Sequence, residues 1–256
     1  MKILVTGYKG FIGSNLYRAL PSEYTVVGFD WADEFPDVSE YDWVIHLGGI
    51  SSTTETDVNK VMRQNYDFSV ALLDDCIFYG VNMQYSSSAS VYGFRTDFRE
   101  DAPVDPKTPY AWSKYMFERY AQQNRPDGLI VQGFRYFNVY GPGEERKGSQ
   151  ASPFTKFRLQ KEKDGFITLF EQSEKYKRDF IHVDEVVNYH IKFLKAQESG
   201  VWNIGTGKPM SFRDVANTVG GEIKEIPIPD NIRSSYQEFT CADMTKTKKT
   251  LSKVVS

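Results

Sequence analysis

Lys2-Ile3-Leu4-Val5-Thr6-Gly7-Tyr8-Lys9-Gly10-Phe11-Ile12-Gly13 decides the reading of this chain. Lys2 to Thr6 is a short apolar run with β-branched residues, the pattern of a strand buried on both faces. Ser14 to Leu20 has helical spacing, and Pro21 stops that helix. Between strand and helix stand Gly7, Gly10 and Gly13 in a GxxGxxG pattern. Glycines let the chain turn tightly and let a pyrophosphate approach a helix N-terminus. There the free N–H groups and the macrodipole favour anions. A glycine triplet alone is also compatible with a strand–helix turn that holds nothing. Its place after the first strand, with an acid closing the second, favours a dinucleotide site.

That acid is Asp30, at the end of Tyr24-Thr25-Val26-Val27-Gly28-Phe29-Asp30. Its carboxylate suits an adenosine ribose and repels a 2′-phosphate, which favours NAD over NADP. Lys9 argues the other way, for a cation in the glycine loop can meet a 2′-phosphate, so NADP stays open. Lys9 also reads as a solvated surface lysine.

Further along, strands are expected at Trp43–Leu47, Met83–Ser86 and Leu129–Phe134. Helices are expected from Val58 to Tyr79, ending at Gly80, and from Tyr110 to Gln123. Alternating strands and helices predict an α/β fold, a doubly wound parallel Rossmann sheet, with a smaller, discontinuous substrate-binding region. Residues 1–145 form the dinucleotide-binding part, to which 175–200 return. Residues 146–174 and 201–256 form the substrate-binding region. The polar interval from Asp30 to Trp43 is too short for a full crossover, so the sheet is expected to lack one unit.

The 256 residues carry a formal net charge of −3, which gives no pull towards nucleic acid. Cys76 and Cys241 form no CxxC pair and read as free thiols. His46, His182 and His190 have no metal-ligand spacing, so no metal is expected. Neither a signal peptide nor a membrane span is read, and the expected location is cytoplasmic.

Tyr110-Ala111-Trp112-Ser113-Lys114 places a phenol and an amine at i and i+4, on one helix face. An ammonium and a positive nicotinamide ring both favour phenolate, so the Tyr110 pKa is expected to fall towards neutrality. YxxxK alone arises by chance in many helices. Upstream, Ser86-Ser87-Ser88-Ala89-Ser90-Val91-Tyr92-Gly93 follows a strand, and Ser88 can reach the same substrate oxygen. By itself it reads equally as a polar turn.

In order, these motifs, then Gly133-Phe134-Arg135-Tyr136-Phe137-Asn138-Val139-Tyr140-Gly141-Pro142 and Lys177-Arg178-Asp179-Phe180-Ile181-His182-Val183-Asp184, resemble the extended short-chain dehydrogenase/reductases acting on sugar nucleotides. Ile50–Glu55, Glu145–Ser152 and Tyr236–Asp243 bring the chain nearest to the ADP-L-glycero-D-manno-heptose 6-epimerases. That resemblance implies a homo-oligomer acting on a nucleotide-diphosphate sugar, by transient oxidation at C6 and return of hydride to the other face. It gives Tyr110 and Lys147 the acid/base roles, assisted by Ser88 and Lys114. Without it, Lys147 is one more charge in a solvated loop. The resemblance also implies that Phe11, Ile12, Asp30, Trp31, Leu47, Gly48, Gly49, Ser51, Asn65, Tyr110, Lys114 and Val139 line the cofactor. Asn138, Ser149, Lys156, Phe170, Ser173, Arg178 and Tyr236 would meet the sugar nucleotide.

Arg178 also has a case of its own, since guanidinium pairs with a diphosphate through two hydrogen bonds. The alternative is an ion pair with Asp179 or Asp184. His182 reads as a packed structural residue and Asp184 as the cap of the next helix.

The chain is shorter than such enzymes after Asp30 and at its C-terminus. The usual helix after Met244 is expected to be missing, which touches the adenine pocket and oligomer contacts. A UDP-hexose 4-epimerase is the competing reading. A 4,6-dehydratase needs an Asp-Glu pair where Ala89 and Ser90 stand. A non-catalytic dinucleotide-binding protein is the third reading, opposed by the intact Ser88, Tyr110 and Lys114.

Overall fold

The computed structural model describes residues 1–31, 34–35, 37–229 and 237–254. The first half runs β1 (Lys2–Thr6), α1 (Phe11–Ala19), β2 (Thr25–Phe29), β3 (Trp43–His46), α2 (Val58–Met62), a π-helical turn (Arg63–Asp67), α3 (Phe68–Tyr79), β4 (Asn82–Ser88), α4 (Pro109–Asn124) and β5 (Val131–Tyr136). Then follow β6 (Asn138–Tyr140), α5 (Pro153–Asp164), β7 (Phe166–Phe170), β8 (Lys177–His182), α6 (Val183–Phe193), β9 (Gly200–Ile204), β10 (Pro209–Ser211), α7 (Phe212–Val219), β11 (Glu222–Ile226) and α8 (Thr245–Ser252).

Six parallel strands form the main sheet, in the order β2-β1-β3-β4-β5-β9. Side chains alternate across it. Leu4, Val44 and Met83 pack under Leu72, Leu73 and Phe117 of α3 and α4. Ile3, Val5 and Ile45 pack on Leu16 of α1 and Val187 of α6. Each fully buried side chain of this kind contributes about 1.5–3 kcal/mol. This is the doubly wound α/β sheet that the strand–helix alternation predicts.

Between Asp30 and Trp43 there is only a 3₁₀ turn, Val38–Glu40, capped by Asp37. Among the described residues, β2 pairs with β1 alone and stands at the sheet edge. The missing crossover is thus seen. At the other edge, β9 pairs with β5, so residues 201–204, expected in the substrate-binding region, belong to the main sheet. The long helix over 58–79 is interrupted by the π turn, and Gly80 closes it at φ +71.

Two expectations are corrected. A helix does follow Met244: α8 is polar in sequence, but Thr247 and Thr250 are buried. Thr247 donates to the Asn203 carbonyl at 2.7 Å, and Trp202 Nε1 donates to Thr250 at 3.1 Å. Hydroxyls that satisfy strand partners replace the apolar stripe that would have signalled it. And α6 is capped by His182, whose Nδ1 accepts from the Asp184 N–H at 3.3 Å. Asp184 sits in the first turn instead.

The smaller region has β8 between β10 and β6, and β11 beside β7. Asp179 is wholly buried in it, accepting from Thr206 N, Thr206 Oγ1, Gly207 N and Ala242 N at 2.6–2.9 Å. Its carboxylate is committed there, and Arg178 instead donates to the carbonyls of Lys177 and Gln237.

Candidate active site

At the C-terminal ends of β1, β3 and β4 lies a cleft of about 600 Å³, where ligands of open α/β sheets bind. Its floor is the glycine turn. Gly10 is the N-cap of α1 and offers no side-chain cap, so the first N–H groups of the helix lack an intrahelical partner. A Cβ on Gly13 would stand 2.1 Å from the Gly7 carbonyl oxygen, and one on Gly7 2.7 Å from Gly48 Cα. Only glycine permits this approach of the turn to the loop after β3, and the cradle left behind suits a dinucleotide. Gly7, Gly10, Phe11, Ile12, Gly13, Leu47, Gly48, Gly49, Ser51 and Val139 all line the cleft, as do Ser88, Tyr110, Lys114, Lys147 and Asn138.

Three residues expected on the cofactor stand behind this lining. Asp30 accepts from the Trp31 N–H at 2.8 Å. Trp31 packs its indole 5.3 Å from the Phe68 ring. Asn65, in the π turn, is buried and holds the lining loop through Ile50. Lys9 places its ammonium 5.3 Å over the Tyr8 ring.

Thr108 caps α4 and Pro109 opens it, which sets the phase that turns Tyr110 and Lys114 inward. Both are buried. Lys114 Nζ donates to Ser86 Oγ at 3.1 Å and lies 5.9 Å from the Tyr110 ring centre. Burial pushes Lys114 down to about 8, against the opposing field of Glu118. Tyr110 is pushed up by burial, with a hydrogen bond to Ser88 opposing. This reverses the expected fall: within the protein alone, desolvation of the phenolate outweighs the favourable contacts. The sequence reading passed over Ser86, although it shares the serine run with Ser88.

Lys147 sits on the 3₁₀ segment Glu144–Gln150, bent at Gly148 with φ +51. Its Nζ lies 3.8 Å from Glu144 and 5.5 Å from the Phe11 ring centre, and burial lowers its pKa. Glu144 is buried, with its carboxylate taking Ser152 N, Ser152 Oγ and Thr155 Oγ1 at 2.6–2.7 Å. The same segment touches both banks of the cleft. Arg146 donates to the Lys9 carbonyl at 3.2 Å, and Gln150 to Thr54 Oγ1 at 3.0 Å. Neither Arg146 nor Gln150 carried a motif that sequence reasoning recognises.

A second cavity of about 240 Å³ adjoins, with Pro153 on the wall of both. Lys156, Phe170 and Ser173 line it. The Ser173 hydroxyl is buried without a hydrogen-bond partner among the described residues. Arg178 lies 5.6 Å over Phe212, another wall residue. Ser149 is exposed and lines neither cavity. Tyr236 lies outside the described residues. Among the described residues no group of His, Cys, Asp or Glu is placed to hold a metal, and no helix is long and apolar enough to cross a membrane.

A glycine cradle beside a buried Ser–Tyr–Lys centre defines an NAD-dependent enzyme that works on hydroxyl and carbonyl groups. The chain belongs to the NAD dependent epimerase/dehydratase family, whose model matches residues 3–205. It is an NAD-dependent epimerase. The Helicobacter pylori ADP-L-glycero-D-manno-heptose-6-epimerase superposes with a TM-score of 0.87 at 26% identity, over 98% of this chain and 90% of that one. The UDP-glucose 4-epimerase of Thermotoga maritima, solved with UDP-glucose, gives 0.85 at 25%, over 98% and 93%. MoeE5, in complex with UDP-glucuronic acid and NAD, gives 0.82 at 26%, over 98% and 93%.

Proposed function

We propose that the protein is an ADP-glycero-manno-heptose 6-epimerase. The observation that carries this reading is the placing of Lys147 and Tyr110 on the walls of one cleft. An epimerase needs a proton-transfer group for each orientation of its carbonyl intermediate, and two buried amphoteric side chains meet that need. The heptose epimerase likeness supports the same choice.

Bound NAD supplies the hydride acceptor and, in the return step, the donor. Tyr110 Oη takes the proton of the sugar hydroxyl as it is oxidised, while Ser88 Oγ holds that oxygen. Lys114, anchored on Ser86, supports negative charge on Tyr110. After the carbonyl carbon turns over, Lys147 Nζ delivers the proton in the opposite orientation. Asn138 meets the sugar, and Lys156, Phe170, Ser173 and Arg178 meet the nucleotide end, with Ser149 and Tyr236 as further contacts from the resemblance. The product would be a lipopolysaccharide precursor, made by a cytoplasmic homo-oligomer with its substrate region in 146–174 and the later chain.

The second reading is a UDP-hexose 4-epimerase, favoured by the likeness to the Thermotoga enzyme. The test is incubation with ADP-glycero-manno-heptose and with UDP-glucose or UDP-galactose, followed by chromatography of the sugars. Turnover of the UDP-hexose alone overturns the heptose reading.

A further inference from the structure

Helix α4 carries another buried charge below the Tyr110–Lys114 pair. Glu118 lies one helical turn beyond Lys114, on the same face, and is 1% exposed. Its carboxylate accepts from Ser87 Oγ at 2.5 Å, from Arg135 Nε at 3.0 Å and from Arg135 Nη2 at 2.7 Å. Arg135, on β5, is 3% exposed and donates through Nη1 to the Tyr92 hydroxyl and the Glu100 carbonyl.

An ion pair withdrawn this far from water is a poor device for stability alone. Apolar residues of similar volume generally do as well or better. Its position suggests another use. Ser87, which binds the carboxylate, stands on β4 between Ser86, the partner of Lys114, and Ser88, the partner of Tyr110. One carboxylate therefore ties the strand that carries both serines to the helix that carries both reacting groups.

The groups around Lys114 are few. Tyr110 and Glu118 face it from α4, and Ser86 from β4. His46 on β3 feels its charge and is held neutral by burial, at about 3. Tyr136 of β5, with its phenol pushed up by burial, and Lys147 share the cleft. Glu144 is engaged with Ser152, Thr155 and Lys147. Glu118 is the carboxylate that favours the charged form of Lys114 against its burial.

We propose that Glu118 is a positioning residue for the reaction, held by Arg135 and Ser87 so that its charge keeps the Lys114 side chain an ammonium beside Tyr110. The proposal rests on the Tyr110–Lys114 centre and on no particular sugar.

The test follows Lys114 directly. The full chain, loaded with NAD and labelled with [13Cε]lysine, is titrated by NMR, and the Lys114 resonance is assigned with Lys114→Met. In Glu118→Gln the titration is expected to move down by at least about half a unit, the loss of an opposite charge at close range. Glu118→Gln leaves Arg135 charged and unpaired in the core, which can unfold the protein. The double substitution Glu118→Gln, Arg135→Gln removes both buried charges, keeps hydrogen-bonding side chains, and is expected to move Lys114 in the same direction. A Lys114 titration that stays in place in the double variant overturns the proposal. With either sugar nucleotide that is turned over, the high-pH limb of kcat is expected to move down with it. A merely structural Glu118 would lower kcat at every pH and leave the limb in place, which also overturns it. The NMR result needs no substrate, so it stands whether or not the heptose reading does.

Discussion

Asn65 and Ile50 hold each other through two hydrogen bonds. Asn65 Oδ1 accepts from the Ile50 N–H at 2.7 Å, and Asn65 Nδ2 donates to the Ile50 carbonyl at 3.0 Å. The same Nδ2 reaches Ser113 Oγ at 3.2 Å, and Ser113 donates to the Tyr110 carbonyl at 2.7 Å. A single amide thus joins the loop of Gly48, Gly49 and Ser51 to the helix of Tyr110. It sits in a π turn, a feature often found at functional sites. Asn65→Leu leaves both polar groups of Ile50 without this partner, at about 1–3 kcal/mol. NADH affinity, read by fluorescence titration, is expected to fall about tenfold or more. An unchanged affinity would show that the loop holds its shape without Asn65.

Tyr110→Phe removes the phenol oxygen and keeps the ring in its buried slot. It is expected to lower kcat by at least about 10²-fold, while NAD still binds. Steady-state rates on the turned-over sugar nucleotide check this. Near-normal turnover would remove Tyr110 from the chemistry.

Lys147→Ala separates the two substrate readings. If Lys147 is the second proton-transfer group, kcat for heptose epimerisation is expected to fall by about 10²-fold or more. A 4-epimerase, turning its intermediate past Tyr110 alone, would be little affected.

Acid is expected to destabilise the fold through two histidines. His46 lies between Thr6 Oγ1 at 2.6 Å and Ser69 Oγ at 2.8 Å, and His190 between Gln84 Oε1 at 2.7 Å and Tyr136 Oη at 2.6 Å. Burial lowers both to about 3, helped at His46 by the Lys114 charge. The unfolded chain protonates them near 6.5, so it binds more protons than the folded chain between those values. Stability is therefore whole above that window and falls as pH drops through it. Urea denaturation at pH 7 and pH 4.5 should differ by on the order of 2–3 kcal/mol per histidine. His190→Gln should show a smaller pH dependence. An identical slope in the variant would refute the assignment.

The strand–glycine–helix opening, the parallel alternation and the Tyr110–Lys114 pair were legible because each has a local signature. Two glycines of the cradle are fixed by contacts a Cβ would violate, and that constraint shows in sequence as spacing. The roles of Asn65, Arg146 and Gln150 were not legible. Each acts through a single bond to a loop distant in sequence, and no periodicity reports such a pairing. Helix α8 was hidden because threonines fill its buried face. The direction of the Tyr110 shift was misread because burial is a property of the packed fold, which the YxxxK spacing alone does not report.

The segment Glu144–Gln150 is moored at Lys9 on one side of the cleft and at Thr54 on the other. Anything seated beneath it leaves only when a mooring parts, so departure is governed by the segment's own opening. A nicotinamide held this way would behave as a resident tool. The electrons it lifts from one face of a sugar would be returned to the other without passing through the cell's common pool. The reaction would then run at the same pace in an oxidised cell as in a reduced one.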